Sequence, residues 1–241
     1  MGYQEIEIPT GFSLLCVTFK NVSGGSFDIQ DMQIYKDGVK YEQSIARLQI
    51  QKMLLDGDNE GYYDDEQVYN WKKRSGRTGW WKGNTTYCEG DYKVTLDAGE
   101  GLSVNNTSGG TLTLRVSGEV ELTPWSMEIP TGFSLIGNMT PVTLDLQDAK
   151  VYMADKTTLY EQSIARVQVQ KMLIDGDNEG YYDDEQVYNW KKRSGRTGWW
   201  KGNTTYCEGD NAVSLAPGEA VSINNTSGNP LYIKFKDPVT K

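Results

Sequence analysis

The chain has 241 residues, enough for two domains of ordinary size, and carries a formal net charge of −9. Because phosphate neutralisation requires a basic face, this charge argues against a general nucleic-acid binder. No apolar run approaches the roughly 18 residues of a membrane-spanning helix, so we expect no membrane partner.

An internal duplication dominates the sequence. Residues 51–91 recur at 170–210 with a constant offset of 119, and the only change is Leu55 to Ile174. The segment IPTGFSL at 8–14 also returns at 129–135, whereas 21–40 and 140–159 share little. We therefore predict two tandem modules, residues 1–122 and residues 123–241. Either a constraint on the middle segment or recombination accounts for its near identity.

The first residues, MGYQEIEIP, contain neither a basic region nor an apolar run, so no secretory signal is predicted. Two origins remain open. Either a signal has been removed, or the chain is made in a cytoplasm and delivered by lysis or assembly, as virion proteins are. We favour the second origin.

Apolar residues alternate with period two along both repeats, which predicts half-buried strands. In chain order these are Phe12/Leu14/Cys16, Leu48/Ile50, Leu112/Leu114/Val116, Val167/Val169 and Leu231/Ile233/Phe235. Glycine-rich turns separate the runs, for example at 23–26, 36–38 and 97–101. The pattern predicts an all-β fold of two tandem homologous modules, each a β-sandwich or a partly closed barrel.

Three further segments have a predicted conformation: residues 42–55, 101–122 and 123–126. The apolar residues of 42–55, which include Ile45, fit the period of a helix or of a strand, and we predict a strand over 47–54. Residues 101–105 and 111–116 predict a β-hairpin, with 117–122 as a closing strand. Residues 123–126, TPWS, are the predicted linker, because proline ends regular pairing. A linker this short is expected to keep the two units in contact.

The three cysteines are Cys16, Cys88 and Cys207. Cys88 and Cys207 are repeat equivalents, but Cys16 corresponds to Gly137, so a disulfide within a module exists at most in the first copy. We expect all three as reduced thiols that pack as small hydrophobes. Without Cys-x-x-Cys or histidine, a thiolate metal site is not expected.

Several short motifs follow one another in a fixed order: Ala46 four residues before Ile50-Gln51, an acidic Gly-Tyr stretch, Gly79-Trp80, AGEG at 98–101, TLTL at 111–114 and SGEV at 117–120. This order resembles repeated β-modules of bacterial surface and secreted proteins and of gut phage proteins. The resemblance implies a β-module used in adhesion or surface architecture. The second copy departs from it, with Gly218-Glu-Ala220 in place of Gly99-Glu-Gly101.

The acidic segment 56–66, DGDNEGYYDDE, approaches a calcium loop. Candidate oxygen ligands are Asp56, Asp58, Glu60 and Asp64, with Asp175, Asp177, Glu179 and Asp183 in the second repeat. The twelfth position of such a loop carries a bidentate acid, but here it is Gln67, so an EF-hand is not predicted. A Ca²⁺ ion in a β-loop and a solvated acidic turn both remain open, and no other cofactor is expected.

The segment 72–82, KKRSGRTGWWK, mixes cations with aromatics, as glycan-binding platforms do. The candidate binding residues are Tyr62, Tyr63, Arg74, Arg77, Trp80, Trp81, Tyr181, Tyr182, Arg193, Arg196, Trp199 and Trp200. Neighbouring strand residues face opposite sides, so at most one residue of each aromatic pair is expected to be exposed. The alternative is that both are packed, or that the exposed one supports an interface.

The acidic and basic segments suggest complementary surfaces, with the acidic loop of one unit docked on the basic stretch of the next. Two hydrated loops are the alternative. Enzymatic activity is not expected, because histidine and the Ser-x-x-Lys and Gly-x-Ser-x-Gly motifs are absent.

The sequence therefore predicts a non-enzymatic structural, decoration or attachment protein of an extracellular particle. A phage virion component that contacts other protein subunits is the first interpretation. The alternative is a bivalent carbohydrate-binding module of a bacterial surface protein, whose partners are glycans.

Overall fold

The computed structural model describes residues 2–20, 26–52, 68–97, 99–120, 126–171 and 186–236. Throughout these residues the chain is all-β, with antiparallel strands and short 3-10 segments but no α-helix. The period-two pattern is thereby confirmed. No helix in the described part of the chain is long and apolar enough to cross a membrane.

The first repeat contains the strands β1 (Gly2–Ile8), β2 (Gly11–Cys16), β3 (Phe19–Lys20), β4 (Phe27–Asp28), β5 (Gln33–Lys36), β6 (Val39–Lys40), β7 (Leu48–Lys52), β8 (Val68–Arg74), β9 (Arg77–Lys82), β10 (Thr86–Tyr87), β11 (Thr95–Leu96), β12 (Gly101–Asn106) and β13 (Leu112–Val120). The second repeat contains β14 (Ser126–Ile129), β15 (Gly132–Gly137), β16 (Leu144–Asp145), β17 (Lys150–Tyr152), β18 (Val167–Gln170), β19 (Val187–Arg193), β20 (Arg196–Lys201), β21 (Thr205–Tyr206), β22 (Ser214–Leu215), β23 (Ala220–Asn225) and β24 (Leu231–Lys234). Strand β7 confirms the extended interpretation of residues 48–52.

Both repeats build the same pair of facing sheets. A six-stranded sheet has the order β10-β9-β8-β7-β12-β2 in the first repeat and β21-β20-β19-β18-β23-β15 in the second. It faces a smaller sheet, β1-β13-β5-β6 with β3 also on β13, or β14-β24-β17. Among the described strands no sheet closes on itself, so the arrangement fits a sandwich.

Strands β12 and β13 do not form the predicted hairpin. β12 pairs with β2 and β7, whereas β13 pairs with β1 and β5 in the facing sheet and continues to Val120 as one strand. The buried amide of Asn106 explains the crossover. It donates to the carbonyl oxygens of Ile8 and Gly110, both at 2.9 Å, and so ties the turn to the end of β1. Alternation alone does not distinguish this crossover from a hairpin.

Each repeat buries its own apolar core between its two sheets, around an edge-to-face tryptophan pair. The ring centroids lie 5.4 Å apart for Trp71 and Trp80. Such pairs contribute about 0.5–1.5 kcal/mol beyond their burial. The indole of Trp71 donates to the carbonyl of Tyr41 at 2.7 Å, and that of Trp80 to the carbonyl of Met32 at 3.1 Å. The pair therefore positions the chain from 32 to 41.

The two repeats pack on each other through the outer face of β2, so residues 13–16 of this strand are buried on both faces. The prediction of a half-buried strand from Phe12, Leu14 and Cys16 is therefore wrong here, because Leu14 and Cys16 face the other repeat and Phe12 is exposed. A separate apolar cluster consists of Leu14, Cys16, Leu135, Met139 and Ala220. Two backbone bonds cross the contact: the N–H of Cys16 donates to Gly218 at 2.8 Å, and that of Gly137 donates to Gly99 at 2.9 Å. Cys16 is equivalent to Gly137, and Gly99 is equivalent to Gly218. Each bond therefore becomes the other when the two repeats are interchanged, so an approximate two-fold axis relates the repeats.

Cys16 and Gly137 meet beside this axis. A Cβ atom added at Gly137 would lie 2.1 Å from the Cβ atom of Cys16 and 2.9 Å from its sulfur. Gly137 is not among the residues with positive φ, so lack of space rather than backbone conformation requires glycine there. Of two equivalent positions, only one has room for a side chain.

We expect Gly137→Ala to lower the free energy of unfolding by about 1–3 kcal/mol, the usual cost of overpacking. The exchange variant Cys16→Gly/Gly137→Cys should recover most of this loss, because the side chain only changes sides of the axis. Urea denaturation measures both, and Cys16→Gly alone reports the loss of the side chain. Strictly additive effects of the two single changes Cys16→Gly and Gly137→Cys would contradict the pseudo-symmetric contact.

Candidate binding site, a pocket present in both repeats

A surface pocket occurs at equivalent places in the two repeats, with a volume of about 790 Å³ in the first and about 450 Å³ in the second. Six of its lining residues correspond at the offset of 119. They are Tyr41, Gln43, Arg47, Thr107, Ser108 and Gly109, and in the second repeat Tyr160, Gln162, Arg166, Thr226, Ser227 and Gly228. None of these residues belongs to the binding set predicted from the sequence.

Two segments with identical sequences in both repeats build this shared wall. They are the YEQSIAR loop, residues 41–47 and 160–166, and the NNTSG turn, residues 105–109 and 224–228. The carbonyl of Arg47 accepts hydrogen bonds from the backbone N–H of Thr107 at 2.7 Å and from its hydroxyl at 3.2 Å. The same pair of bonds joins the two segments in the second repeat. Loop and turn are therefore held together as one wall.

The beginning of the YEQSIAR loop is anchored on the six-stranded sheet. The carboxylate of Glu42 accepts a hydrogen bond from the ammonium of Lys73 at 2.6 Å and from the hydroxyl of Thr78 at 2.9 Å. The carbonyl of Gln43 accepts from the backbone N–H of Lys73 at 2.7 Å. The bond from Lys73 holds the pKa of Glu42 below its ordinary value, and the second repeat repeats the arrangement with Glu161.

The rest of the loop presents side chains that have no role in packing. Ile45 is 63% exposed and its equivalent Ile164 is 64% exposed, although large apolar side chains normally lie inside. No carboxylate among the described residues pairs with Arg47 or Arg166. Both repeats therefore present, at the same place, an exposed isoleucine and an arginine that has no carboxylate partner among the described residues.

The opposite wall differs between the repeats. In the first it is the β5–β6 hairpin, whose turn residues Asp37 and Gly38 have φ of 51° and 77°, and which brings Lys36 and Lys40 to the pocket. In the second repeat Met153 lies at this wall. The adjoining loop is closed by Asp155, whose pKa is lowered to about 2 by hydrogen bonds from the Thr158 hydroxyl and from backbone N–H groups.

The four tryptophans predicted as binding residues, Trp80, Trp81, Trp199 and Trp200, are all buried. Trp80 and Trp199 belong to the two cores. Trp81 lies on the other face of the sheet, where the edge of Tyr87 covers it at a centroid distance of 4.9 Å. The ammonium of Lys72 also lies 5.9 Å from the Trp81 ring centroid. None of these four indole rings is available to stack on a ligand.

Four of the five cations of the basic stretch, all but Lys82, have partners among the described residues of their own repeat. Arg77 pairs with Glu89 and lies over the ring of Tyr87 at 3.9 Å, and Arg74 donates to the carbonyl of Asn84. Their equivalents Arg196 and Arg193 make the same contacts. Lys72 is buried, with its ammonium on the carbonyls of Gly83 and Asn84. These contacts do not favour docking of an acidic loop on this stretch.

The remaining sequence-predicted residues lie outside the described residues. They are the aromatic residues Tyr62, Tyr63, Tyr181 and Tyr182 and the acidic residues Asp56, Asp58, Glu60, Asp64, Asp175, Asp177, Glu179 and Asp183. In the part of the chain that the structure describes, no group of three or more acidic or cysteine side chains is arranged to hold a metal ion. Calcium binding therefore stays a prediction.

A scan against protein-family models and searches of curated proteins and of solved structures found no match to this chain. The assignment of the site therefore depends on its geometry. The sequence contains one indication of this pocket, because the two repeats are identical in the YEQSIAR loop and again in the NNTSG turn.

We expect Glu42→Gln to lower the thermal midpoint at neutral pH, because it removes the charged partner of Lys73. The pKa of Glu42 is depressed in the folded state, so this contribution is complete above the ordinary value of 4.5 and is lost as the pH falls through the folded pKa. Melting curves of wild type and variant should therefore converge at acidic pH. A difference that persists once Glu42 of the wild type is protonated would contradict the assigned role.

The cysteines are free and buried, as expected, and burial raises the pKa of Cys16 to about 12 and that of Cys88 and Cys207 to about 11. Because the thiolate is the reactive form, we expect iodoacetamide to modify none of them in the native protein at pH 8 and all three in urea. Mass spectrometry counts the adducts. Rapid modification of any native cysteine would contradict this packing.

Proposed function

We propose that this protein is a non-enzymatic attachment protein that binds its ligand bivalently, through one pocket in each repeat. The observation that carries the proposal is the recurrence of one pocket on two identical segments, the YEQSIAR loop and the NNTSG turn. The contact through Leu14, Cys16 and Leu135 holds the repeats together. Two joined sites gain avidity without any new contact, which is a reason for keeping both.

The shared lining favours an oxygen-rich ligand. Gln43 contributes an amide, Thr107 and Ser108 contribute hydroxyls, and Arg47 contributes a guanidinium, with Ile45 as the neighbouring apolar surface. A surface polysaccharide offers hydroxyl groups and repeats its units, so that two sites of one chain can be occupied together. Attachment to such a polymer fits a phage virion component, the location expected from the sequence, and also a bacterial surface protein.

Absence of catalysis is part of the proposal. Glycoside hydrolysis, for example, needs a pair of carboxyl groups across the scissile bond. The first pocket is lined by two acidic residues, Asp37 and Glu42, and Glu42 is held by Lys73 and Thr78. The described lining of the second pocket contains no acidic residue. The two pockets therefore have no acidic residue at equivalent positions of their described lining, so they do not share the pair of carboxyl groups that glycoside hydrolysis needs.

A test is to fill the pockets. Gln43 and Gln162 are exposed and their side chains make no hydrogen bond to other described residues, so Gln43→Trp and Gln162→Trp should fold normally. We expect wild-type protein to bind at least one of a panel of immobilised polysaccharides: dextran, galactan, polygalacturonate and dextran sulfate. Each single variant should weaken binding by about 10²–10⁴-fold through loss of avidity, and the double variant should not bind.

Lys82→Trp/Lys201→Trp is the matched control, because these exposed equivalents place the same side chain outside the pockets. It should bind like wild type in the same surface-plasmon-resonance assay. Wild-type protein that binds no polymer of the panel would overturn the proposal. Binding that survives in the doubly filled variant would overturn it as well.

A further inference from the structure

The pockets have one cationic side chain in common, Arg47 in the first repeat and Arg166 in the second. The carboxylate of the loop does not neutralise it, because Glu42 is bonded to Lys73 and Thr78, and Glu161 is bonded to the equivalent residues. No other carboxylate among the described residues pairs with either arginine.

This lack of a partner stands out in an acidic chain. The net charge is −9, and Arg77, Arg115 and Arg196 each have a carboxylate partner. Arg74 and Arg193 donate instead to the backbone carbonyls of Asn84 and Asn203. An arginine at the wall of a concave site that has neither kind of partner among the described residues, in both repeats, is available to an anion from outside. The guanidinium presents a planar fork of donors that matches a carboxylate or sulfate group.

The surroundings limit the freedom of this arginine. The carbonyl of Arg47 is held by two bonds from Thr107, so the backbone from which the side chain extends is fixed. The amide of Gln43 lines the same pocket and supplies a further donor. Preorganised donors lower the ordering cost of binding, which raises affinity for a ligand that uses them.

We propose that Arg47 and Arg166 form an anion subsite, and that the polysaccharide recognised by this protein carries acidic groups. This inference rests on the proposed function and names the chemistry of its ligand. The walls that differ between the repeats then give the two sites different affinities for anionic ligands. Lys36 and Lys40 add two positive charges beside Arg47 and Asp37 offsets one of them, whereas Met153 lies at the corresponding wall near Arg166. The first site binds the denser polyanion more tightly and is more sensitive to salt.

Four polymers test the inference in two matched pairs: polygalacturonate with its fully methyl-esterified form, and dextran sulfate with dextran. We expect wild-type protein to bind the acidic member of at least one pair at least 10-fold more tightly than its neutral partner. The pair that shows the preference identifies a carboxylate or a sulfate as the recognised group. Arg47→Gln/Arg166→Gln should remove this preference for the acidic polymer. Arg47→Lys/Arg166→Lys should keep part of it, because lysine retains the positive charge but lacks the planar fork of donors.

The control Lys82→Gln/Lys201→Gln removes the same charge from each repeat at exposed positions outside the pockets, and it should keep the preference. Thermal midpoints equal to that of wild type establish that the variants are folded. Equal binding of acidic and neutral polymers, abolished by Gln43→Trp/Gln162→Trp, would overturn the anion subsite and leave the proposed function standing. Absence of binding to all four polymers and to galactan would overturn both.

Discussion

The two indole N–H groups buried in each core require hydrogen-bond partners, and the partners they find determine where the pocket stands. Trp71 and Trp190 donate to the carbonyls of Tyr41 and Tyr160, the first residues of the two YEQSIAR loops. A buried donor without an acceptor costs about 1–3 kcal/mol, so this bond holds the start of the loop against the core. The position of the pocket wall at the surface therefore depends on a hydrogen bond that a buried indole N–H requires inside the sandwich.

The need to pair each buried indole N–H also explains how the sequences of the two repeats differ while their fold stays the same. Trp80 donates to the carbonyl of Met32 and Trp199 to that of Ala149, so the bond survives replacement of the side chain. Where a side chain makes the contact, the residue type is the same. Gln30 and Gln147 each hold the backbone of a core tryptophan, and both lie in the same short pattern, Asp28-Ile-Gln30-Asp31 and Asp145-Leu-Gln147-Asp148.

Sequence periodicity predicted the strands, because alternation reports burial on one face of a sheet. It did not predict the crossover after β12, since that depends on a bond between Asn106 and Ile8, 98 residues apart in the chain. Alternation left two outcomes open for Trp81, exposed or packed, and the second is confirmed because Tyr87 and Lys72 cover the ring from the solvent side of the sheet. Ile45 fits the period of a helix or of a strand, and only the fold reveals that it lies in a loop and is exposed.

The pseudo-symmetric contact and the pockets lie at opposite ends of the same strands. Cys16 pairs with Gly101 at the contact end of β2 and β12, whereas Gly11 pairs with Asn106 at the end that leads into the NNTSG turn. Six residues of strand span about 17 Å. Because the two-fold relation applies to both repeats, each pocket is directed to the end remote from its partner repeat. If the proposed function holds, sites arranged in this way would engage two separated units of a ligand, which favours an extended polymer over a single small ligand.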